Sequence, residues 1–435
     1  MTDARLGLSD LRLHQATLAN GARVVVVPQP SLHRVALGVY VGAGSRYEGA
    51  ETNGISHFLE HMLYRGTDKH PTAHALNLAF ERLGGTLYAA THADHTYLAI
   101  TTPARHVEAA CTLLGESMRA PLLSAIDVER RIVREEILED LDEDGRQVDV
   151  DNVVRALGFG DHPLGFTITG PLAAVDRWDE PTLRAHLRRN YVGDNAVVVL
   201  AGAIDEKTGL RLAKHAFGEL PRGERARYVP FAPTQRGVRR KHVPSPGSQT
   251  DLRLSFITPG EKSPMAPAVE LLLRVLDDGM STRLYHRLVD EGGLVYDCEA
   301  TWEPFEDCGA FDLGAEVQHA RIGEVVEACV ELVEELAEHG PTTAEIDKAR
   351  ERHHFAVEAM LDDAEAIAEG AGGAVFFDRP REPTAWATRF DGLDRAALAE
   401  AARTIFRADR ASLVTVGTMP TQAREVVKRA LARLA

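Results

Sequence analysis

Residues 54–64 read GISHFLEHMLY and set His57, Glu60 and His61 among Ile55, Phe58, Leu59, Met62 and Leu63. If the segment is helical, His57 and His61 stand one turn apart on one face, with Glu60 beside both. Two imidazoles at that spacing can take two positions on one zinc ion, leaving room for a further protein ligand and a water. Glu60 is then placed to accept a proton from that water. The bland alternative is a pair of histidines satisfied inside a core. Three polar side chains on neighbouring turns of an apolar helix would then be buried without partners, at a cost of about 1–3 kcal/mol each. A shared cation removes that cost, and the spacing is the H-x-x-E-H of inverted zincins.

A third protein ligand is needed. Residues 127–140 read DVERRIVREEILED. Glu129 and Glu136 are two helical turns apart and share a face. Ile132 and Val133 lie between them, which predicts that this face is buried. Glu135 and Glu139 fall on other faces and read as solvated, although spacing separates Glu136 from Glu135 only slightly. His92 and His95, in THADH, are rival donors that read instead as exposed residues at the end of a strand.

Elements must position these groups. Asn53 can cap a helix over 54–64. Strands are expected over 23–27, 35–41, 86–90, 96–101 and 196–201, with amphipathic helices over 105–119 and 125–142. The same order returns later: a strand over 252–257, a helix over 266–276, a helix over 321–338 and a strand over 412–416. Gly292-Gly293-Leu294-Val295-Tyr296 parallels Gly84-Gly85-Thr86-Leu87-Tyr88. This implies an internal duplication and an α+β fold of two homologous domains, each a mainly antiparallel sheet packed with helices. The domain boundaries read 1–218 for the zinc-bearing half and 248–435 for a half without a zinc motif. Between them, 219–247 holds five prolines and the basic cluster Arg236 to Lys241, and reads as a solvated linker.

The chain has 435 residues and a net charge of −16, which argues against a general nucleic-acid binder. Cys111, Cys298, Cys308 and Cys329 show no CxxC spacing, so buried thiols are expected rather than a disulfide framework. The N-terminal MTDARLGLSDLRLH lacks an apolar signal core, and no run is long enough to span a membrane, so a cytoplasmic location is expected.

GSRYEGAETNGISHFLEHMLYRGT (44–67) resembles the opening of the M16 metallopeptidases, the pitrilysin, insulinase and mitochondrial-processing-peptidase group. The resemblance continues through VERRIVREEI (128–137), DHPLGFTITG (161–170), DNAVVVLAG (194–202) and STRLYHRLVDEGGLVY (281–296), and so covers nearly the whole chain. It implies one zinc ion per chain, held by His57, His61 and Glu136, with Glu60 as general base and Glu129 as a supporting residue that does not bind metal. It also implies that the segment after Gly84-Gly85 is an edge strand onto which an extended peptide substrate adds.

Two positions depart from the family pattern. Tyr296 matches a substrate-contacting tyrosine, but Val289 stands where the family usually has arginine, and Arg287 would point elsewhere on a helix. Tyr88 stands where asparagine is frequent. The resemblance therefore implies a metalloendopeptidase acting on short or unfolded peptides, as the zinc-bearing member of a heterodimer whose paralogue supplies an Arg-Tyr pair, or as a homodimer. A non-catalytic scaffold and a partner-dependent peptide-binding subunit are the competing readings.

Overall fold

The computed structural model describes residues 11–380 and 383–434. The first ten residues, most of the stretch read above for a signal peptide, lie outside the described residues. The chain forms two compact units.

The first unit gathers the described parts of Met1–Glu139, Thr167–Val229 and Phe355–Ala387. Its sheet holds β1 (His14–Thr17), β2 (Arg23–Pro28), β3 (Arg34–Val41), β4 (Tyr88–Thr91), β5 (Thr96–Pro103) and β6 (Ala196–Gly202) in the order β1-β2-β6-β3-β5-β4. Among the described strands β2 and β6 pair in parallel and the other neighbours are antiparallel. The central strands are buried along nearly their whole length, which is why they read as continuous Val and Leu runs rather than alternating ones.

The second unit gathers the described parts of Asp140–Phe166, Pro230–His354 and Thr388–Ala435. Its strands are β7 (Arg239–Pro244), β8 (Gln249–Pro259), β9 (Val295–Pro304), β10 (Cys308–Gln318) and β11 (Ala411–Gly417), in the order β7-β11-β8-β10-β9. Again one pair, β7 with β11, is parallel and the rest are antiparallel. Apart from β1, the two sheets share one strand order, so the fold is α+β and the weak sequence repeat is mirrored in topology.

The compact units cut across the expected continuous boundaries. The helix Ala364–Phe376, late in the sequence, packs on β2, β3 and β6 of the first unit. Its small residues allow close approach: a Cβ on Gly372 would lie 2.7 Å from the Tyr40 ring and 2.9 Å from Val199. The helix Val150–Phe159, early in the sequence, packs on β8 and β11, burying Val153 and Val154 against Val243, Val414 and Val416. Each sheet thus takes one covering helix from the other half of the sequence. The expected linker also needs correction. Residues 219–238 form no helix or strand, but Arg239–Pro244 is strand β7, because its backbone pairs with β11 and Val243 is buried.

All four cysteines are buried and none is disulfide-bonded. Among the described residues no helix is long and apolar enough to cross a membrane.

Candidate metal centre

Two helices of the first unit build the site. The histidine helix, Ile55–Leu63, buries Ile55, Phe58, Leu59, Met62 and Leu63 almost completely. Asn53 does not cap it. Gly54 is the capping residue, in the left-handed region at φ 96°, and a Cβ there would lie 2.5 Å from the Thr169 carbonyl oxygen. The exposed amides are satisfied from outside the helix. The buried Glu48 carboxylate accepts hydrogen bonds from Gly54 N (2.8 Å) and Ser56 N (2.9 Å). Asn53 instead donates to Glu48 (3.2 Å) and to the Thr167 carbonyl (2.8 Å). An anion at a helix N-terminus is favoured by the backbone dipoles. The side chain of the same Ser56 is also held, with Oγ 3.1 Å from His186 Nε2.

The glutamate helix, Ile126–Glu139, packs against the histidine helix and buries Glu129, Val133 and Ile137. The expected buried face is shifted: Ile132 is 44% exposed, because the buried residues follow i, i+4, i+8 from Glu129. Glu136 sits at the edge of that stripe, half-buried, while Glu135 and Glu139 are exposed.

This packing brings His57, His61 and Glu136 into one cluster. His57 Nε2 is 3.3 Å from one Glu136 oxygen and His61 Nε2 is 3.5 Å from the other. Two ligands of one tetrahedral zinc ion stand about 3.4 Å apart, so the donor set and its spacing fit the metal. Hydrogen bonding to His57, then to His61, holds the Glu136 carboxyl far below the usual carboxylate range. His57 Nδ1 is buried and has no hydrogen-bond partner among the described residues.

Glu129 lies outside this cluster. It faces the other nitrogen of His61, with Oε2 3.0 Å from Nδ1, and its second oxygen pairs with Arg65. A carboxylate on the far nitrogen fixes the tautomer and ring orientation of a ligating histidine. Glu60 is also outside the ligand set. It is buried and accepts a hydrogen bond from Thr91 Oγ1 at 2.8 Å. Thr91 belongs to β4, the edge of the sheet, so the candidate base is tied to the edge strand. Tyr64 reaches the same edge, 3.4 Å from the Leu87 carbonyl. Burial, then the Glu60 charge, push its phenol above the usual range, so it stays protonated.

Glu48, Thr91 and His186 had no sequence signal. Arg65 alone was readable in principle, one turn beyond His61. The rival histidines do not join the cluster. His92 is exposed, whereas His95 is half-buried, bonded to Asp94 (2.8 Å) and packed against Tyr40, Phe376 and Phe377. Tyr296 lies on β9 of the second unit and is 92% exposed. Val289 packs against the core of that unit, and Arg287 pairs with Glu331 (3.3 Å) and Glu335 (2.9 Å).

Comparison with known proteins places this architecture. An uncharacterized zinc protease of Mycobacterium tuberculosis strain H37Rv is 32% identical over 348 residues, covering 77% of each chain. The chain belongs to peptidase family M16. The family model "Insulinase (Peptidase family M16)" matches residues 23–172, and "Peptidase M16 inactive domain" matches 178–352. The first match of this M16 chain contains His57, Glu60, His61, Glu129 and Glu136; the second contains Val289 and Tyr296. The beta subunit of the mitochondrial-processing peptidase of Blastocladiella emersonii is 34% identical over 49% of this chain and 46% of its own length. Among solved structures, a protease from Helicobacter pylori has a TM-score of 0.86 at 22% identity, covering 94% of this chain and all of that one. A structure described as the peptidase M16 inactive domain, from Pseudomonas fluorescens, has a TM-score of 0.87 at 20% identity, over 94% and 99%. At these identities the structures establish the shared fold.

Proposed function

We propose that this M16 chain is a zinc-dependent endopeptidase that hydrolyses short or unfolded peptides bound in extended form. The observation that carries the reading is the convergence of His57 Nε2, His61 Nε2 and Glu136, with the buried Glu60 beside them hydrogen-bonded to the edge strand. His57, His61 and Glu136 would hold one zinc ion. When bound, the ion acts as a Lewis acid that acidifies water and polarises a carbonyl. The remaining work falls to this chain's own residues. Glu129, backed by Arg65, keeps the His61 ring turned with Nε2 toward Glu136. Among the described residues β4 is the last strand of its sheet, an edge to which an extended peptide can add, with Thr91 linking that edge to Glu60. Glu60 takes the proton of the attacking water and returns it to the leaving amine.

The test is metal content and cleavage of an unstructured peptide by the isolated chain and its Glu60→Gln variant. The variant should retain zinc and lose at least about 10²-fold in rate. Equal cleavage by both proteins would overturn the assignment of Glu60.

A second reading is favoured by Val289. At the position where the family usually carries arginine, an aliphatic side chain packs into the core of the second unit, while Arg287 is held by Glu331 and Glu335. In this reading the chain is the zinc-bearing member of a heterodimer, or of a homodimer, and turns over substrate only when a partner completes the peptide contacts. Zinc bound without hydrolysis by the isolated chain, with activity restored by a paralogous subunit, distinguishes it from the first.

A further inference from the structure

The basic cluster Arg236 to Lys241 is only partly an irregular connection, because Arg239, Arg240 and Lys241 belong to strand β7. Strand alternation splits it: Arg239 turns toward the Val150–Phe159 helix and donates to the Leu157 carbonyl (2.8 Å), while Arg240 faces outward. Arg240 and Arg236 border a cleft of about 670 Å³ within the second unit, and Lys428 of the helix Thr421–Leu431 borders it from another element. Its floor is apolar, with Val238, Leu431 and Leu434.

The charges around this cleft are unbalanced. Arg407 and Asp409 also line the cleft but satisfy each other, Arg407 being gripped by both Asp409 oxygens (2.9 Å each), and the adjacent Arg433 pairs with Glu331 and Glu334. Among the described residues Arg236, Arg240 and Lys428 form no ion pair, whereas Arg407 and Arg433 do. These three cations converge on one cleft in a chain whose net charge is −16.

We propose that the cleft binds an acidic peptide segment whose apolar side chains enter its floor. The cations stand on separate elements and are exposed, so they suit carboxylates spread along an extended chain. A compact phosphate is favoured by convergent backbone amides or a guanidinium fork, and a single-stranded nucleic acid by aromatic platforms. Among the described residues the cleft lining has no aromatic side chain. The proposal is independent of the chemistry at His57, Glu60 and His61.

The test is fluorescence anisotropy with a short labelled peptide alternating Glu and Leu, using full-length Glu60→Gln protein so that cleavage does not interfere. Saturable binding is expected, weakened by salt and at least about tenfold weaker after Arg236→Glu, Arg240→Glu and Lys428→Glu together. A peptide with Lys in place of Glu should not bind. Equal affinity of the triple variant, or equal binding of the Lys peptide, overturns the proposal. So does binding of inorganic phosphate or an oligonucleotide at this cleft without the acidic peptide. If the triple variant lacks the parent's melting transition, single alanine substitutions at the three positions carry the test. Weakened binding in each then supports the site, and unchanged affinity overturns it.

Discussion

The helix that follows β3 in the first unit and the helix that follows β8 in the second differ in almost every polar position. The first, Ile55–Leu63, buries His57 and Glu60 and holds His61 half-buried. The second, Ala266–Leu276, buries Ala268, Val269, Leu271, Leu272, Val275 and Leu276, and its Glu270 pairs with Arg389 at 2.5 Å. Yet the sheets share one strand order. The comparison teaches that the fold closes around an apolar helix without any metal ligand. The histidines and Glu60 are therefore not required by packing; they are tolerated in the first unit because Glu136, Glu129 and Thr91 stand ready to meet them.

That contrast can be broken by substitution, and the largest effect is expected at the proposed metal ligand. Glu136→Gln should lose zinc affinity by more than the roughly 10–100-fold expected for a supporting residue. Glu135→Gln, and Glu270→Gln in the second unit, should leave zinc content unchanged. Metal analysis after dialysis against a graded chelator separates these cases, and the reverse ranking of Glu135 and Glu136 would remove Glu136 from the site. Next, Glu129→Gln should weaken zinc by about 10–100-fold while leaving the metal bound at saturation, as befits a residue that orients His61.

Two smaller effects concern stability and sharpen the comparison between units. In the first, burial, then the charge of Arg189, lower the pKa of His186 to about 4. Between the usual histidine value of about 6.5 and that lowered value, the unfolded chain binds a proton that the folded chain refuses. Stability should therefore fall as pH falls through this window, and His186→Gln should flatten the slope of urea midpoints measured across it. In the second unit, burial would raise the pKa of Glu345, but hydrogen bonds from Arg283 (2.5 Å) and Thr342 (2.7 Å) outweigh it and hold the carboxyl at about 2. Its contribution is present above the usual carboxylate range and is lost as pH falls toward about 2. Glu345→Gln should lower the melting temperature near neutrality and have no effect in strong acid.

Much of this architecture is written locally. Val-rich runs bounded by Gly and Pro mark β2, β3 and β6 because strands buried on both faces need no alternation. The helix Ala266–Leu276 was legible to the residue from its apolar periodicity. Edges were less legible. Strand β7 looked like a linker because an edge strand with four basic residues has little hydrophobic signal until its pairing with β11 is known. The capping role of Glu48 was equally hidden, since it acts across a loop rather than from the capping position.

By itself the sequence determined the histidine pair, the glutamate between them and the helix that holds them. Those relations depend on a repeat of 3.6 residues, which one segment sets alone. Tertiary structure decided the rest. It chose which carboxylate meets the two Nε2 atoms, turned Glu129 to the opposite side of the His61 ring and tied Glu60 to the sheet edge through Thr91. It also lent each sheet a helix from the other half of the chain and gathered Arg236, Arg240 and Lys428 around one cleft. These groups are distant in sequence, and only the burial of shared apolar faces fixes the distances between them.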